Sequence, residues 1–142
     1  MNALRLFVTI TMFIPFLCCN AQPTKKEVKE SDDSYIKIEA FYFHFTFRCP
    51  TCRTIEAKTK ENLETLYPNQ MKKGLITFKS INLDEASSRS LADRFGISGV
   101  ELLIVKGDQK IDLTNVGFLY AMDRPEKFKK IIKEKVDGLL ID

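Results

Sequence analysis

Apolar residues change their spacing several times along the chain, and each change marks an element. Leu6 to Leu17 reads LFVTITMFIPFL, an apolar run too short to span a bilayer as a mature helix. Gln22 to Ser34, QPTKKEVKESDDS, is polar and has no apolar period, which predicts a flexible leader. Ile36 to Phe45, IKIEAFYFHF, begins as alternation and becomes nearly continuous, the pattern of a central strand buried on both faces. Cys52, Ile55, Thr59, Leu63 and Leu66 then recur at steps of three and four, with Lys58, Lys60, Glu61 and Glu64 between them. That spacing predicts an amphipathic helix ending near Pro68 and Asn69.

Leu75 to Leu83, LITFKSINL, predicts a second strand. Ser87 to Phe95 predicts a short helix with Leu91, Ala92 and Phe95 inward and Gly96 at its C-terminal cap. Glu101 to Val105, ELLIV, predicts a third strand, and Gly107-Asp108 a turn into a fourth from Lys110 to Phe118. Asp123, Arg124, Pro125 and Glu126 have the chemistry of a helix start, with Phe128, Ile131, Ile132, Val136 and Leu139 as the inward stripe. Early strand–helix alternation followed by a hairpin predicts an α/β domain: a mixed sheet of four to five strands flanked by helices.

The chain has 142 residues, of which 44% are hydrophobic and 29% charged, enough for one packed domain. Its N-terminus stands apart. Arg5 is the only charged residue before Lys25, and the apolar run is followed by CCNAQ. A basic start, a short apolar stretch and a small-residue exit predict a secretory signal over residues 1–21, cleaved after Ala21. A rival is lipid attachment at Cys18 or Cys19, which would make the protein a membrane-anchored lipoprotein. Residues 22–34 are then a leader, and 35–142 the folded domain. An exported chain is periplasmic or otherwise extracytoplasmic. With 22 basic against 19 acidic residues, charge predicts neither nucleic acid nor anionic lipid as a partner.

Removing the signal takes two of the four cysteines and leaves Cys49 and Cys52, in FRCPTCR. A structural zinc site wants four Cys or His ligands, and this segment of chain offers two cysteines and His44. A disulfide between Cys49 and Cys52 would close a very short loop and restrict little of the unfolded chain. A redox role fits the position. Cys49 follows a predicted strand and opens a predicted helix, where unpaired N–H groups and the positive dipole end favour a thiolate. Arg48 and Arg53 are expected to add positive potential. Pro50 suits the first helical turn, and Thr51 completes the CPTC pair without fixing the direction of electron flow. Cys49 is therefore expected to be the exposed nucleophile, and Cys52 the more buried resolving thiol. His44 has two readings: a proton acceptor beside the cysteines, or a packed, hydrogen-bonded core residue.

On these residues the chain resembles the thioredoxin superfamily from about Tyr35 onwards. The likeness rests on FRCPTCR, on INLDE (Ile81–Glu85) and on RFGISGVELLIVKGDQK (Arg94–Lys110). More narrowly, FYFHFTFRCPTCRTIE, INLDE and DLTNVGFLYAMDRPEKFKK are similar to bacterial thioredoxin-like proteins named as nitrophenyl compound nitroreductase subunits of the ArsF type. The resemblance implies a thioredoxin-like fold, with protein thiols or disulfides as partners and a link to a reductase. No residues that would hold a flavin or nicotinamide are visible, so no cofactor is expected. Two positions depart from the superfamily's pattern. Its cis-proline beside the active site is absent, and Glu101 or a neighbour takes that place, with a trans bond expected. Its buried acid six residues before the first cysteine is replaced by Phe43.

The leading expectation is an exported thiol–disulfide oxidoreductase. The alternatives are a non-enzymatic module that binds a partner or carries a soft metal, and an electron-delivering subunit of a reductase.

Overall fold

In the computed structural model, which describes residues 37–141, alternation in IEAFYFH sets the whole architecture. The expected signal, Cys18, Cys19 and the leader lie outside the described residues. Ile38, Ala40 and Tyr42 fall on one face of strand β1 (Ile38–His44), and Phe41 and Phe43 on the other; all are buried. A strand apolar on both faces needs cover on both sides. From β1 the chain enters α1 (Pro50–Leu66) and α2 (Pro68–Lys72) and returns as β2 (Ile76–Asn82), parallel to β1. A 3-10 turn (Ala86–Ser88) and α3 (Arg89–Phe95) lead to β3 (Glu101–Lys106), antiparallel to β1 on its other edge. β4 (Gln109–Asp112), α4 (Thr114–Tyr120) and α5 (Pro125–Ile141) finish the chain. The sheet order is β2-β1-β3-β4. The protein is thus an α/β domain with a four-stranded mixed sheet flanked by helices.

The two faces are covered unequally. Against Ile38, Ala40, Tyr42, Leu102 and Ile104 pack Ile55 and Leu63 of α1 together with Phe128, Ile132, Val136 and Leu139 of α5. Against Phe41, Phe43, Leu103 and Val105 pack only two fully buried residues, Ala92 and Ile97, from α3 and just after it, with Ile81, Leu83, Leu91 and Phe95 half-buried around them. Gly96 ends α3 in the left-handed conformation, φ +69°, which only glycine enters without strain.

Three boundaries differ from the sequence expectation. The helix after the cysteines stops at Leu66 because Pro68 disfavours helical backbone at Tyr67, but Pro68 then serves as the first residue of the unexpected α2. The expected fourth strand, Lys110 to Phe118, ends at Asp112. There the Thr114 N–H donates to the Asp112 carboxylate (2.8 Å), and the Leu102 N–H donates to the Thr114 hydroxyl (3.0 Å). These bonds turn the chain into α4 with Leu113 buried beneath. Gly117 lets α4 approach α1: an added Cβ would lie 3.0 Å from Ile55 Cγ2. Finally, α5 begins at Pro125, so Arg124 rather than Asp123 precedes it, and the Arg124 carbonyl accepts from Lys127 and Phe128.

Candidate active site

The first turn of a helix has backbone N–H groups with no partner inside the helix. Cys49 occupies the N-cap of α1 in extended conformation (φ −67°, ψ 161°), and its sulfur accepts from the Cys52 N–H at 3.2 Å. Pro50 at the first helical position has no N–H to satisfy. Cys52 lies one turn along, 7% exposed, while Cys49 is open to solvent. Both are free thiols, with sulfurs 2.7 Å apart.

The two environments push the thiols in opposite directions. Cys49 is drawn below the ordinary thiol value, first by the hydrogen bond from the Cys52 side chain and then by the Cys52 backbone N–H. Cys52 is pushed up, first by burial and then by donating that hydrogen bond. Hydrogen bonding to the charged form favours it, and desolvation disfavours it. Of the two thiols, the accessible Cys49 is therefore the one favoured to ionise first.

The loop that delivers Cys49 is tied to the end of β2. The Leu83 N–H donates to the His44 carbonyl (2.7 Å), the Thr46 N–H to the Asp84 carboxylate (2.8 Å), and the Asn82 amide to the Thr46 hydroxyl (3.0 Å). The Thr46 backbone bond holds the Asp84 carboxyl below its usual value. INLDE thus anchors the loop that leads to Cys49, a role its sequence did not announce.

The other expected residues are placed as follows. Arg48 forms an ion pair with Glu56, so its charge is balanced within α1's first turns. Arg53 is exposed, and neither arginine is a cause of the lowered Cys49 pKa. Thr51 faces α4's end, its hydroxyl 3.9 Å from the Met122 sulfur. His44 is buried and engaged on both ring nitrogens: Nδ1 with the Phe45 carbonyl (2.8 Å) and Nε2 with the Ser80 hydroxyl (2.9 Å). A carbonyl only accepts, so Nδ1 carries the proton, and in the neutral ring Nε2 accepts from Ser80. The ring borders a cavity of about 390 Å³ that Ser80, Asn82, Glu85 and Ser88 also line, at the carboxyl ends of the parallel strands.

Glu101 pairs in register with Phe43 and so belongs to the α3 face, across the sheet from Tyr42. Burial, followed by Asp112, raises its carboxyl pKa. Val100, one residue earlier, packs into the α1-side core instead. No peptide bond among the described residues is cis, including the one before Glu101.

Sequence reasoning passed over Tyr42. It lies 1% exposed below the first turn of α1, and its hydroxyl donates to the Cys52 carbonyl at 2.8 Å. Strand parity was the available signal, since Tyr42 shares its face with Ile38 and Ala40 while Phe43 does not.

No protein-family model matches the chain. No curated protein matches it either. A solved structure described as "Structure of a malarial protein" is similar at 14% identity, over 58% of this chain and 93% of its own, with a TM-score of 0.40. That likeness is too distant to bear on fold family or activity. Among the described residues, no group of three or more His, Cys, Asp or Glu side chains is placed to share a metal ion. No helix among them is long and apolar enough to cross a membrane.

Proposed function

We propose that this chain is an exported, thioredoxin-like thiol–disulfide oxidoreductase using Cys49 and Cys52. The observation that carries the reading is the asymmetry of the pair: an exposed N-cap sulfur with a lowered pKa beside a buried one with a raised pKa. The thiolate is the nucleophile in disulfide exchange, so the pair has a defined order of action. Cys49 thiolate attacks a partner disulfide, and one partner sulfur leaves with the bonding pair and a proton. Cys52 then gives up its proton and attacks Cys49 within the mixed disulfide. The second partner sulfur leaves as a thiol, and the Cys49–Cys52 disulfide remains. The reverse sequence oxidises a partner dithiol.

The parallel β1–β2 pair joined through α1, the antiparallel β3–β4 hairpin and the placing of CPTC at the start of α1 support the thioredoxin-like part. A protein partner is favoured by the apolar rim of the site. Phe47 is 95% exposed two residues before Cys49, and Met122, against Thr51, is 50% exposed. Such side chains suit a protein surface carrying the target cysteine. Export rests on the signal-like pattern of residues 1–21, with lipidation at Cys18 or Cys19 as its variant. A reductase as the partner, as the resemblance to nitroreductase subunits implies, would make this chain its electron donor.

The test is capture. Cys52→Ser leaves the attacking sulfur and removes the resolving one, so mixed disulfides through Cys49 accumulate in the exported fraction. The absence of any captured species, together with no titration of the dithiol in graded thiol–disulfide buffers, removes the reading. A partner-binding or metal-carrying module would instead keep its partner or its soft cation in a reducing buffer and lose the cation on Cys49→Ser.

A further inference from the structure

An attacking sulfur needs only to be an anion in the open, but a resolving sulfur must become an anion while buried. Cys52 is 7% exposed, and burial is the first reason its thiol pKa is raised. Something must steady its negative charge at the moment it attacks Cys49. The position six residues before Cys49 is Phe43, which packs into the α3 face and cannot help. Glu56 is paired with Arg48. Glu101 lies on the opposite face. The polar group that reaches the underside of Cys52 is the Tyr42 hydroxyl, 2.8 Å from its carbonyl oxygen.

Resting on the proposed exchange chemistry, we infer that Tyr42 is a positioning residue for the resolving step, its hydroxyl fixing Cys52 through the carbonyl and turning to the sulfur as a thiolate forms there. The phenolic O–H rotates about its own bond and so can leave the carbonyl, and a carbonyl inside a helix keeps its in-helix donor when it does. Burial, then the Cys52 charge, raises the phenol's own pKa well above its usual value. Tyr42 therefore stays protonated throughout the working range: it donates and never takes up the Cys52 proton, which passes to solvent. The titratable and charged groups facing it are Cys52, Glu56 and Arg48 from the α1 side and His44 on its own strand. Its register neighbours Ser80 and Leu102 add no charge.

A buried acid in the same role would titrate and impose a second ionisation on the resolving rate, whereas a tyrosine imposes none. The experiment mixes the reduced full chain with excess chromogenic aromatic disulfide and follows both thiol-release phases across pH. The first phase reports attack by Cys49 and the second resolution by Cys52. Tyr42→Phe is expected to slow the second phase about tenfold near neutrality and raise its midpoint by about one pH unit, the loss of one hydrogen bond to a charged sulfur. The first phase should change less than about twofold, because Tyr42 makes no bond to Cys49. In the unaltered chain the second phase should follow a single ionisation.

An unchanged second phase in Tyr42→Phe, equal slowing of both phases, or two ionisations in the unaltered chain would overturn the inference. If Tyr42→Phe does not fold, two ionisations in the unaltered chain would still overturn the inference. Absence of any second phase in the unaltered chain would strike the exchange reading itself, and this inference with it.

Discussion

Helix α1 is held at both ends by a buried tyrosine hydroxyl, and the two ends do different things. At its C-terminal end Tyr67 donates to the Asp137 carboxylate at 2.6 Å and lies 3.1 Å from the Lys133 carbonyl, clamping α1 to α5. Asp137 is also paired with Lys133, so the acceptor's charge is satisfied. At the N-terminal end Tyr42 donates to a peptide carbonyl whose own residue carries the buried thiol. One tyrosine closes a network within the fold. The other lies beside the residue whose sulfur would carry the charge in the proposed exchange. The difference teaches that burial and a hydrogen bond do not mark a functional tyrosine; the chemistry of the acceptor's residue does.

The largest effects should fall at the reactive end. Cys49→Ser should abolish disulfide exchange, read as loss of both release phases, while the thermal midpoint moves little because the N-cap oxygen of serine serves as well as sulfur. Next comes the exchange of roles between the tyrosines. Tyr67→Phe should lower stability by about 1 kcal/mol, seen in denaturant titration, and leave both release phases unchanged. Tyr42→Phe should lower stability by less than that and alter the second phase. If Tyr67→Phe changed resolution as Tyr42→Phe does, the contrast between the two ends would collapse.

Acid unfolding sharpens the same contrast. The Asp137 carboxyl is held below its ordinary value of 3.8, first by Lys133 and then by Tyr67. A depressed folded-state pKa contributes stability that is fully present above the unfolded value and disappears as pH falls through the folded one. Stability should therefore drop below about pH 4 in the unaltered chain, and Tyr67→Phe should make that drop shallower. Tyr42→Phe should leave the acid limb alone. The smallest expected effect is at Arg48. Because Glu56 balances it, Arg48→Ala should change the rate of Cys49 alkylation less than about threefold, in keeping with the modest worth of partly exposed ion pairs.

Much of this was legible from residue spacing. The alternation of IEAFYFH located the central strand, and the three- and four-residue recurrence from Cys52 located α1 and its buried side. The stripe from Phe128 to Leu139 did the same for α5. What spacing could not show was local polar bonding. Asp112 and Thr114 end a strand that apolar alternation would have carried to Phe118. Likewise, CPTC between a strand and a helix pointed to an exposed Cys49 and a buried Cys52, but not to their supports. Arg48 looked like a source of potential until Glu56, two turns along, claimed it. Asp84 and Asn82 brace the loop from a strand end far away in sequence. Tyr42 was hidden because its importance depends on which face of β1 meets α1.

The most direct measurement is the pH dependence of alkylation in the fully reduced chain, with each modified cysteine identified by peptide mapping. Modification should begin at Cys49 alone, with a midpoint clearly below the ordinary thiol value of 9.0, and reach Cys52 only at higher pH. Equal reactivity of both thiols, or a Cys49 midpoint at or above that value, would contradict the account.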